Sequence, residues 1–302
     1  MIIRFRNSII LLLTLFFVET SVVQSQVCFY SSTGLARLKK RGLTYIVMSD
    51  TASKAANEFK GIFRKYWTIS KIEFIDSIDI NKYVAVNNAF FMLEVNPRTG
   101  HYTEAHNEGF YIASLFIFDD TEPLFDGAAN YERKRTLIGY IYLSAEEYKK
   151  GVNVFDNFGE GHFLNWGTGL LKNYIQELMT LFSDSKTQFC TENMRLTESI
   201  YGLKTGTLYI PDNIVNNPSE MNDLVSDYKY NYKFVPLDTI NQMILADKTP
   251  FFYIDFAIDN NNEKYVSVVD SHTGEFIYCT NTAYSKRLKA KDLKQIYKAA
   301  SK

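Results

Sequence analysis

The sequence predicts an α/β protein built from two copies of one β-α-β-α-β-β-β-α unit, with mixed sheets, helices on the sheet faces and pseudo-two-fold symmetry. Two observations predict the duplication and one predicts the class. Similar apolar strands recur as NAFFMLEV (88–95) and TPFFYIDF (249–256), and similar elements surround each of them. Strand-like runs of β-branched and aromatic residues alternate with helical stripes, which is typical of parallel sheets covered by helices.

The first 25 residues are predicted to be a signal peptide. Arg4 and Arg6 precede an apolar run, Ile9 to Val18, and a polar stretch follows it. Ten residues are too few to cross a bilayer, which takes about 20. The sequence therefore predicts an exported protein with no membrane span after cleavage, which is periplasmic, associated with the outer membrane, or secreted.

The remaining chain is nearly balanced in charge, with 31 basic and 33 acidic residues once Arg4, Arg6 and Glu19 are removed. This balance excludes a general electrostatic attraction to nucleic acid. Of the three cysteines, Cys28, Cys190 and Cys279, at most two can form one internal disulfide. A pair between Cys190 and Cys279 is one interpretation, and a buried Cys279 thiol is the other.

The first copy is assigned to residues 26–190 and the second to residues 191–302. Their first predicted strands begin after Gly42 and Gly206, and Tyr45 matches Tyr209. A helix with apolar residues at spacing i, i+3, i+4, i+7 follows in each, and Asn217 and Pro218 are typical of a helix start in the second. The helical stripes are Phe59, Ile62, Phe63 and Tyr66, and Met221, Leu224, Val225 and Tyr228.

The rest of each copy follows the same order. KIEFID and NYKFVP are predicted strands, and each precedes a short helix that contains an Ile-Asn step. The quoted strands come next, then a hairpin, then a closing helix over Leu170–Phe182 or Leu293–Ala300. In this alignment the two Phe-Phe pairs coincide and Glu94 matches Asp255.

A long loop near residues 150–168 has no counterpart in the second copy. Its glycines at 159, 161, 167 and 169 precede a helix and accompany His162 and Trp166. Helix N-termini bind anions and aromatic rings stack on sugars or bases, so His162 and Trp166 are candidate ligand-binding residues. The alternative is a connecting loop capped by Thr168, because the glycine spacing matches no nucleotide-binding motif.

Glu94 and Asp255 are the other candidates. Two carboxylates brought face to face by pseudo-symmetry could act as general acid and base in glycoside cleavage. The alternative is that they are ordinary exposed or capping residues, as are the acidic residues at other strand ends. No nucleophile motif is present, and the spacing in HYTEAHNEG (101–109) fits no metal motif, so neither metal nor cofactor is predicted.

Several segments, TYIVMSD, RKYWTISKIEFI, FFMLEV, GTLYIPDNI and YKYNYKFV, resemble uncharacterised exported proteins of the Bacteroidota. The resemblance implies an envelope or secreted location. From these observations the sequence predicts a non-catalytic binding or accessory module of the cell envelope, whose partner is an envelope protein or glycan bound at the cleft between copies and the 157–168 loop. The alternative is a hydrolase of envelope polysaccharide or peptide, with carboxylates at the inter-repeat cleft.

Overall fold

The computed structural model describes residues 26–48, 52–83, 88–95, 110–119, 135–145, 163–184, 194–215, 218–258, 263–282 and 285–302. Several sequence predictions fall outside these residues: the signal peptide over 1–25, the histidine-containing loop over 101–109, residues 150–162 of the long loop with the candidate His162, and the predicted helix-start residue Asn217. Cys190 also lies outside them.

In its described residues, the first unit contains six strands and four α-helices. They are β1 Val27–Phe29, α1 Ser32–Arg41, β2 Leu43–Met48, α2 Lys54–Tyr66, β3 Lys71–Asp76, α3 Ile80–Tyr83, β4 Ala89–Val95, β5 Phe110–Phe118, β6 Arg135–Ser144 and α4 Thr168–Ser183.

The second unit repeats this order, with a 3₁₀ helix over Glu198–Lys204 in the place of α1. Its elements are β7 Met194–Leu196, β8 Thr207–Pro211, α5 Met221–Leu224, β9 Asn231–Val235, α6 Leu237–Ala246, β10 Phe252–Ile258, β11 Lys264–Asp270, β12 Phe276–Thr282 and α7 Ala290–Ser301.

The two sheets have the same strand order, which confirms the duplicated α/β unit. Sheet 1 runs β1-β6-β5-β4-β2-β3 and sheet 2 runs β7-β12-β11-β10-β8-β9. In each, the three strands at one end are parallel and the remaining pairs are antiparallel. A bulge also recurs at the same place, between Leu115 and Phe116 in one sheet and between Val268 and Val269 in the other. Duplicated irregularities of this kind support a common origin of the units.

Each unit begins one strand and one helix earlier than the sequence predicts. β1 and β7 add an outer strand to the antiparallel end of each sheet, beside β6 and β12. Three-residue strands are too short to show an alternating pattern, so periodicity does not detect them. The helix after β1 is specified locally, because the Ser31 hydroxyl accepts the Gly34 N–H and Gly42 ends it in the left-handed region at φ 73°.

The alignment of the quoted strands was wrong by two residues. Tyr45 lies opposite Phe90 in sheet 1, and its equivalent Tyr209 lies opposite Tyr253 in sheet 2. Phe90 therefore corresponds to Tyr253, and the two Phe-Phe pairs do not coincide. A shift of two residues keeps every side chain on the same face of a strand, so the hydrophobic pattern cannot distinguish the two registers.

One hydrophobic core joins the units, and α4 lies at its centre. Tyr174 and other apolar residues of α4 pack with sheet 1 and also with Tyr253, Val269 and Phe276 of sheet 2. The rings of Tyr174 and Phe276 are 6.2 Å apart. A second contact brings the rings of Tyr142 in β6 and Tyr265 in β11 together, stacked at 5.4 Å.

The contacts of the two closing helices are not reciprocal in the described part of the chain. The equivalent helix α7 buries Leu293, Ile296 and Ala300 in the core of its own sheet. A two-fold interface would place α7 against sheet 1 as α4 lies against sheet 2. The symmetry of the protein therefore lies in the topology of the units, and the side chains of the interface differ from one unit to the other.

Candidate functional site

Trp166 belongs to the hydrophobic core. It is 8% exposed, and its ring lies 6.3 Å from that of Phe59 in α2 and 6.2 Å from that of Phe163. The predicted stacking platform is therefore occupied by protein. Its sequence neighbourhood of glycines and polar residues is what one expects of an exposed loop, and its burial follows from packing against Phe59 and Phe163.

The N-terminus of α4 is satisfied by another helix. The Leu170 N–H donates to Asn241 Oδ1 of α6 at 3.0 Å, and the N-cap residue is Gly167, so Thr168 does not occupy the capping position. The Asn241 amide also donates to the Leu237 carbonyl at 3.2 Å, which fixes its orientation. Gly167 and Gly169 therefore allow α6 to approach α4, and this N–H is not available to an anion.

Gly169 is a point of close contact between the two helices. A Cβ at this position would lie 2.5 Å from the Asn241 carbonyl oxygen, which is too short for any side chain. We expect Gly169→Ala to lower the free energy of unfolding by about 1–3 kcal/mol, because backbone must move to admit the methyl group. Urea unfolding measures this effect.

Gly61 in α2 is the matched control for Gly169. A Cβ at Gly61 meets nothing within 4 Å, and the position is exposed. Gly61→Ala should leave stability unchanged or raise it by up to about 1 kcal/mol, since alanine favours helix. If both substitutions had the same effect, close contact between α4 and α6 would be excluded as the role of Gly169.

Asp255 lies in a buried polar cluster between the units. It is 1% exposed, in β10, on the face that sheet 2 turns toward the first unit. Among the described residues, neither carboxylate oxygen has a hydrogen-bond partner, and the Gln26 amide nitrogen has none either. Nearby polar groups bond one another: Ser267 Oγ donates to Gln26 Oε1 at 3.2 Å, and the Asn173 amide donates to the Tyr253 hydroxyl at 3.1 Å.

Burial raises the pKa of Asp255 to about 6. The side chains of Gln26, Tyr174 and Asn165 lie around the carboxyl group and offset part of the rise, although none is close and aligned enough for a hydrogen bond. A carboxyl group in this state can exchange a proton near neutral pH. It does not line an exposed surface, so the structure gives it no access to a polymeric substrate.

Glu94 is not the counterpart of Asp255. In the observed register Met92 corresponds to Asp255, since Met92 lies opposite Ser114 and Asp255 lies opposite the equivalent Ser267. Glu94 lies opposite Ile112, two residues further along β4. The predicted pair of symmetry-related carboxylates is therefore wrong, and the reason is the two-residue shift described above.

Several acidic residues at strand ends cap or support local structure. Asp76 accepts the Ile78 N–H at 3.0 Å, and Asp270 accepts the His272 N–H at 2.8 Å. Asp119 pairs with Arg37 at 2.6 Å. These contacts agree with the interpretation of such residues as ordinary caps and turn residues.

The cysteines are arranged differently from the proposed Cys190–Cys279 pair. Cys28 is disulfide-bonded. Cys279 is a thiol, 3% exposed, packed in the cluster of Cys28, Tyr140 and Tyr265 at the contact of the two sheets. The second interpretation of Cys279, a small buried apolar residue, is confirmed.

Two charged contacts also cross between the units. Glu177 of α4 is fully buried and pairs with Arg195 of β7. Lys172 of α4 is buried within 3.4 Å of Asp247, the left-handed residue that ends α6 at φ 49°. Asp247 also contacts His272 at 2.9 Å, and that hydrogen bond holds the pKa of Asp247 below its usual value. Both sets of contacts join the units, and neither includes a sequence-predicted site residue.

A surface of tyrosines is the feature that the sequence interpretation missed. Tyr230 and Tyr232 at β9 lie with Tyr297 of α7 around the buried Tyr228; we call this group the tyrosine surface. The Tyr228 ring is 5.9 Å, 6.3 Å and 6.4 Å from those of Tyr230, Tyr232 and Tyr297. Tyr232 is 37% exposed, and no strand of the described chain pairs with the outer edge of β9.

The alternation YKYNYKF (228–234) was the available signal for this surface. Tyrosines on one face and lysine or asparagine on the other are typical of a strand that has one packed face and one solvated face. Strand β3 of the first unit does not repeat this row of tyrosines. Its pairing with β2 places Ile72 where the pairing of β9 with β8 places Tyr232.

No helix in the described ranges has the length and apolar character needed to span a bilayer. In the same ranges, His, Cys, Asp and Glu residues form no group of three or more that could hold a metal ion. Comparison of the chain with protein-family models, with curated proteins and with solved structures finds no match.

Proposed function

We propose that this protein is a non-catalytic binding module of a bacterial cell envelope, exported by its N-terminal segment, and that the tyrosine surface contacts its partner. The observation that carries the proposal is a row of partly exposed tyrosine rings at an open sheet edge. Tyrosine offers a large rigid apolar face and a hydroxyl group, and this combination is enriched at binding surfaces.

The asymmetry of the duplication supports this location. A structural role common to both units would be expected to keep similar residues at both sheet edges. Instead, the first unit has Ile72 where the second has Tyr232. The tyrosine surface replaces the inter-copy cleft as the proposed binding location, because core residues of both units fill their contact in the described part of the chain.

Nothing in the geometry of Asp255 favours the alternative, a hydrolase. Acid–base cleavage of a glycoside takes two carboxylates that reach the substrate from either side. Asp255 is buried, and the equivalent residue in the first unit is Met92.

An affinity capture from the native envelope, followed by mass spectrometry and sugar analysis, tests the proposal. The double variant Tyr232→Ala/Tyr297→Ala should recover at least about tenfold less partner than the wild type, because truncation of an aromatic hot-spot residue costs about 1 kcal/mol or more and two such losses exceed the roughly 1.4 kcal/mol that corresponds to a factor of ten. Tyr30→Ala is the control, since Tyr30 is 60% exposed in the first unit and far along the chain from the tyrosine surface.

Tyr30→Ala should recover as much partner as the wild type. Equal recovery by the double variant would contradict the assignment of the surface. Failure of the wild type to retain any component reproducibly would contradict the binding function itself.

A further inference from the structure

The tyrosine surface is bordered by more positive than negative charge. Asp227 pairs with Lys294 of α7 at 3.0 Å, and Lys229 and Lys298 lie near enough to act on the same carboxylate. Lys294 lowers the pKa of Asp227 below its usual value, and the other two lysines add to this effect. Three lysines therefore surround one aspartate, and the excess positive charge suits an acidic ligand.

The tyrosine surface also contains a polar group that its protein neighbours leave unsatisfied. Tyr228 is 3% exposed, and its hydroxyl has no hydrogen-bond partner among the described residues. Buried hydroxyl groups ordinarily have a partner, and with less than 1 Å² of its oxygen exposed this one has room for a buried water molecule at most, so the ligand contacts fall to the outer tyrosines. By contrast, the Tyr230 hydroxyl lies 3.1 Å from Ser301 Oγ.

The ring geometry favours a ligand with flat apolar faces and hydroxyl groups at its rim. The Tyr230 and Tyr297 rings are 5.0 Å apart, and Tyr232 extends the row along β9 toward Phe234, whose ring is 5.9 Å away. Sugar rings offer apolar C–H faces to aromatic rings and hydroxyl groups to tyrosine and lysine. An acidic sugar adds a carboxylate that pairs with lysine.

We propose that the tyrosine surface binds an acidic polysaccharide, with sugar rings against the tyrosines and acidic groups beside Lys229, Lys294 and Lys298. This inference rests on the proposed function and names the ligand class. The lysines disfavour the other obvious occupant, the β9 edge of a second copy, because two such edges would bring like charges together.

The test uses the purified protein in affinity electrophoresis through gels that contain one polymer each. Polygalacturonate supplies acidic sugars, dextran supplies neutral sugars, and polyglutamate supplies carboxylates without sugar rings. We expect strong retardation by polygalacturonate, none by dextran and little by polyglutamate.

Variants separate the contributions of rings and charge. Tyr232→Ala/Tyr297→Ala should weaken binding to polygalacturonate about tenfold or more, as expected for the loss of two aromatic contacts. Lys298→Gln should weaken it about two- to fivefold and reduce its dependence on salt. Tyr30→Ala and Lys54→Gln should bind like the wild type, since Tyr30 is in the first unit and Lys54 is 93% exposed on α2. Circular dichroism of each variant verifies folding.

Other outcomes overturn the proposal. Equal retardation by polyglutamate with no effect of the tyrosine variant would mean charge attraction alone, and equal retardation by dextran would remove the acidic requirement. A concentration-dependent dimer that Tyr232→Ala abolishes would identify a second copy as the occupant. If no polysaccharide binds while envelope capture still depends on the tyrosines, the ligand class is wrong and the binding function stands; if capture fails as well, both proposals fall.

Discussion

Replacing Arg195 with alanine is expected to lower the free energy of unfolding by about 3–5 kcal/mol. The change leaves the Glu177 carboxylate, which is fully buried between the units, without its cationic partner. The remaining contact, the Phe276 N–H at 3.4 Å, is too long to compensate. Urea unfolding at neutral pH measures the loss.

The pH dependence of this loss identifies its cause. Burial already raises the pKa of Glu177, and Arg195 opposes that rise, so removing Arg195 raises the pKa further. The deficit should therefore be largest at neutral pH and shrink as the pH falls, because the protonated carboxyl group is neutral. Adding Glu177→Gln to Arg195→Ala should recover part of the stability at neutral pH.

Lys54→Ala is the control for the Arg195 variant. Lys54 pairs with Glu58 at 3.9 Å on the surface of α2, and such exposed pairs contribute about 0.3–0.5 kcal/mol. A loss in Arg195→Ala no greater than that in Lys54→Ala would show that the pair does not stabilise the contact between the units.

Asp255→Asn is expected to stabilise the protein at pH 7 by up to about 3 kcal/mol. The folded-state pKa of Asp255 is about 6, against an ordinary value of 3.8 for an aspartate side chain, and each unit of difference is worth about 1.4 kcal/mol. Folding raises the pKa of this acid, so the folded state holds the proton more tightly than the unfolded chain. The contribution of Asp255 to stability is therefore fully present below about pH 4 and is lost as the pH rises to about 6.

Urea midpoints measured from pH 4 to pH 7 test this prediction. The wild type should lose stability relative to Asp255→Asn across the interval from about pH 4 to pH 6, and the difference should be constant above it. Asp184→Asn is the control, because Asp184 is exposed at the end of α4, and it should follow the wild type within about 0.5 kcal/mol. Parallel curves for wild type and Asp255→Asn would contradict the burial of an ionisable carboxyl group.

Much of the fold was accessible from sequence because each element carries its own pattern. The closing helices were predicted over Leu170–Phe182 and Leu293–Ala300, and the observed helices are Thr168–Ser183 and Ala290–Ser301. Their apolar stripes repeat at helical spacing and face a sheet. The prediction for the first helix of the second copy was less accurate, since α5 covers only Met221–Leu224 of a predicted stripe that runs to Tyr228.

The candidate site was less accessible, because its residues depend on partners elsewhere in the chain. The sequence around Trp166 is typical of an exposed loop, but in the fold α2 covers this residue. The sequence around Gly169 is typical of an anion-binding loop, but in the fold Asn241 of α6 lies against it. Asp255 looks like an alternating polar residue on a strand, and only the contact with the first unit buries it.

From β2 and β8 onward, the sequence by itself determined the order of the elements and their repetition, since strand and helix periodicities and turn residues act over a few neighbours. Tertiary structure alone decided the register of β4 and β10, the burial of Trp166 and Asp255, and the gathering of Tyr230, Tyr232 and Tyr297 on one surface. The physical reason is that a shift of two residues preserves alternation, and that burial is a property of the neighbours which folding brings together.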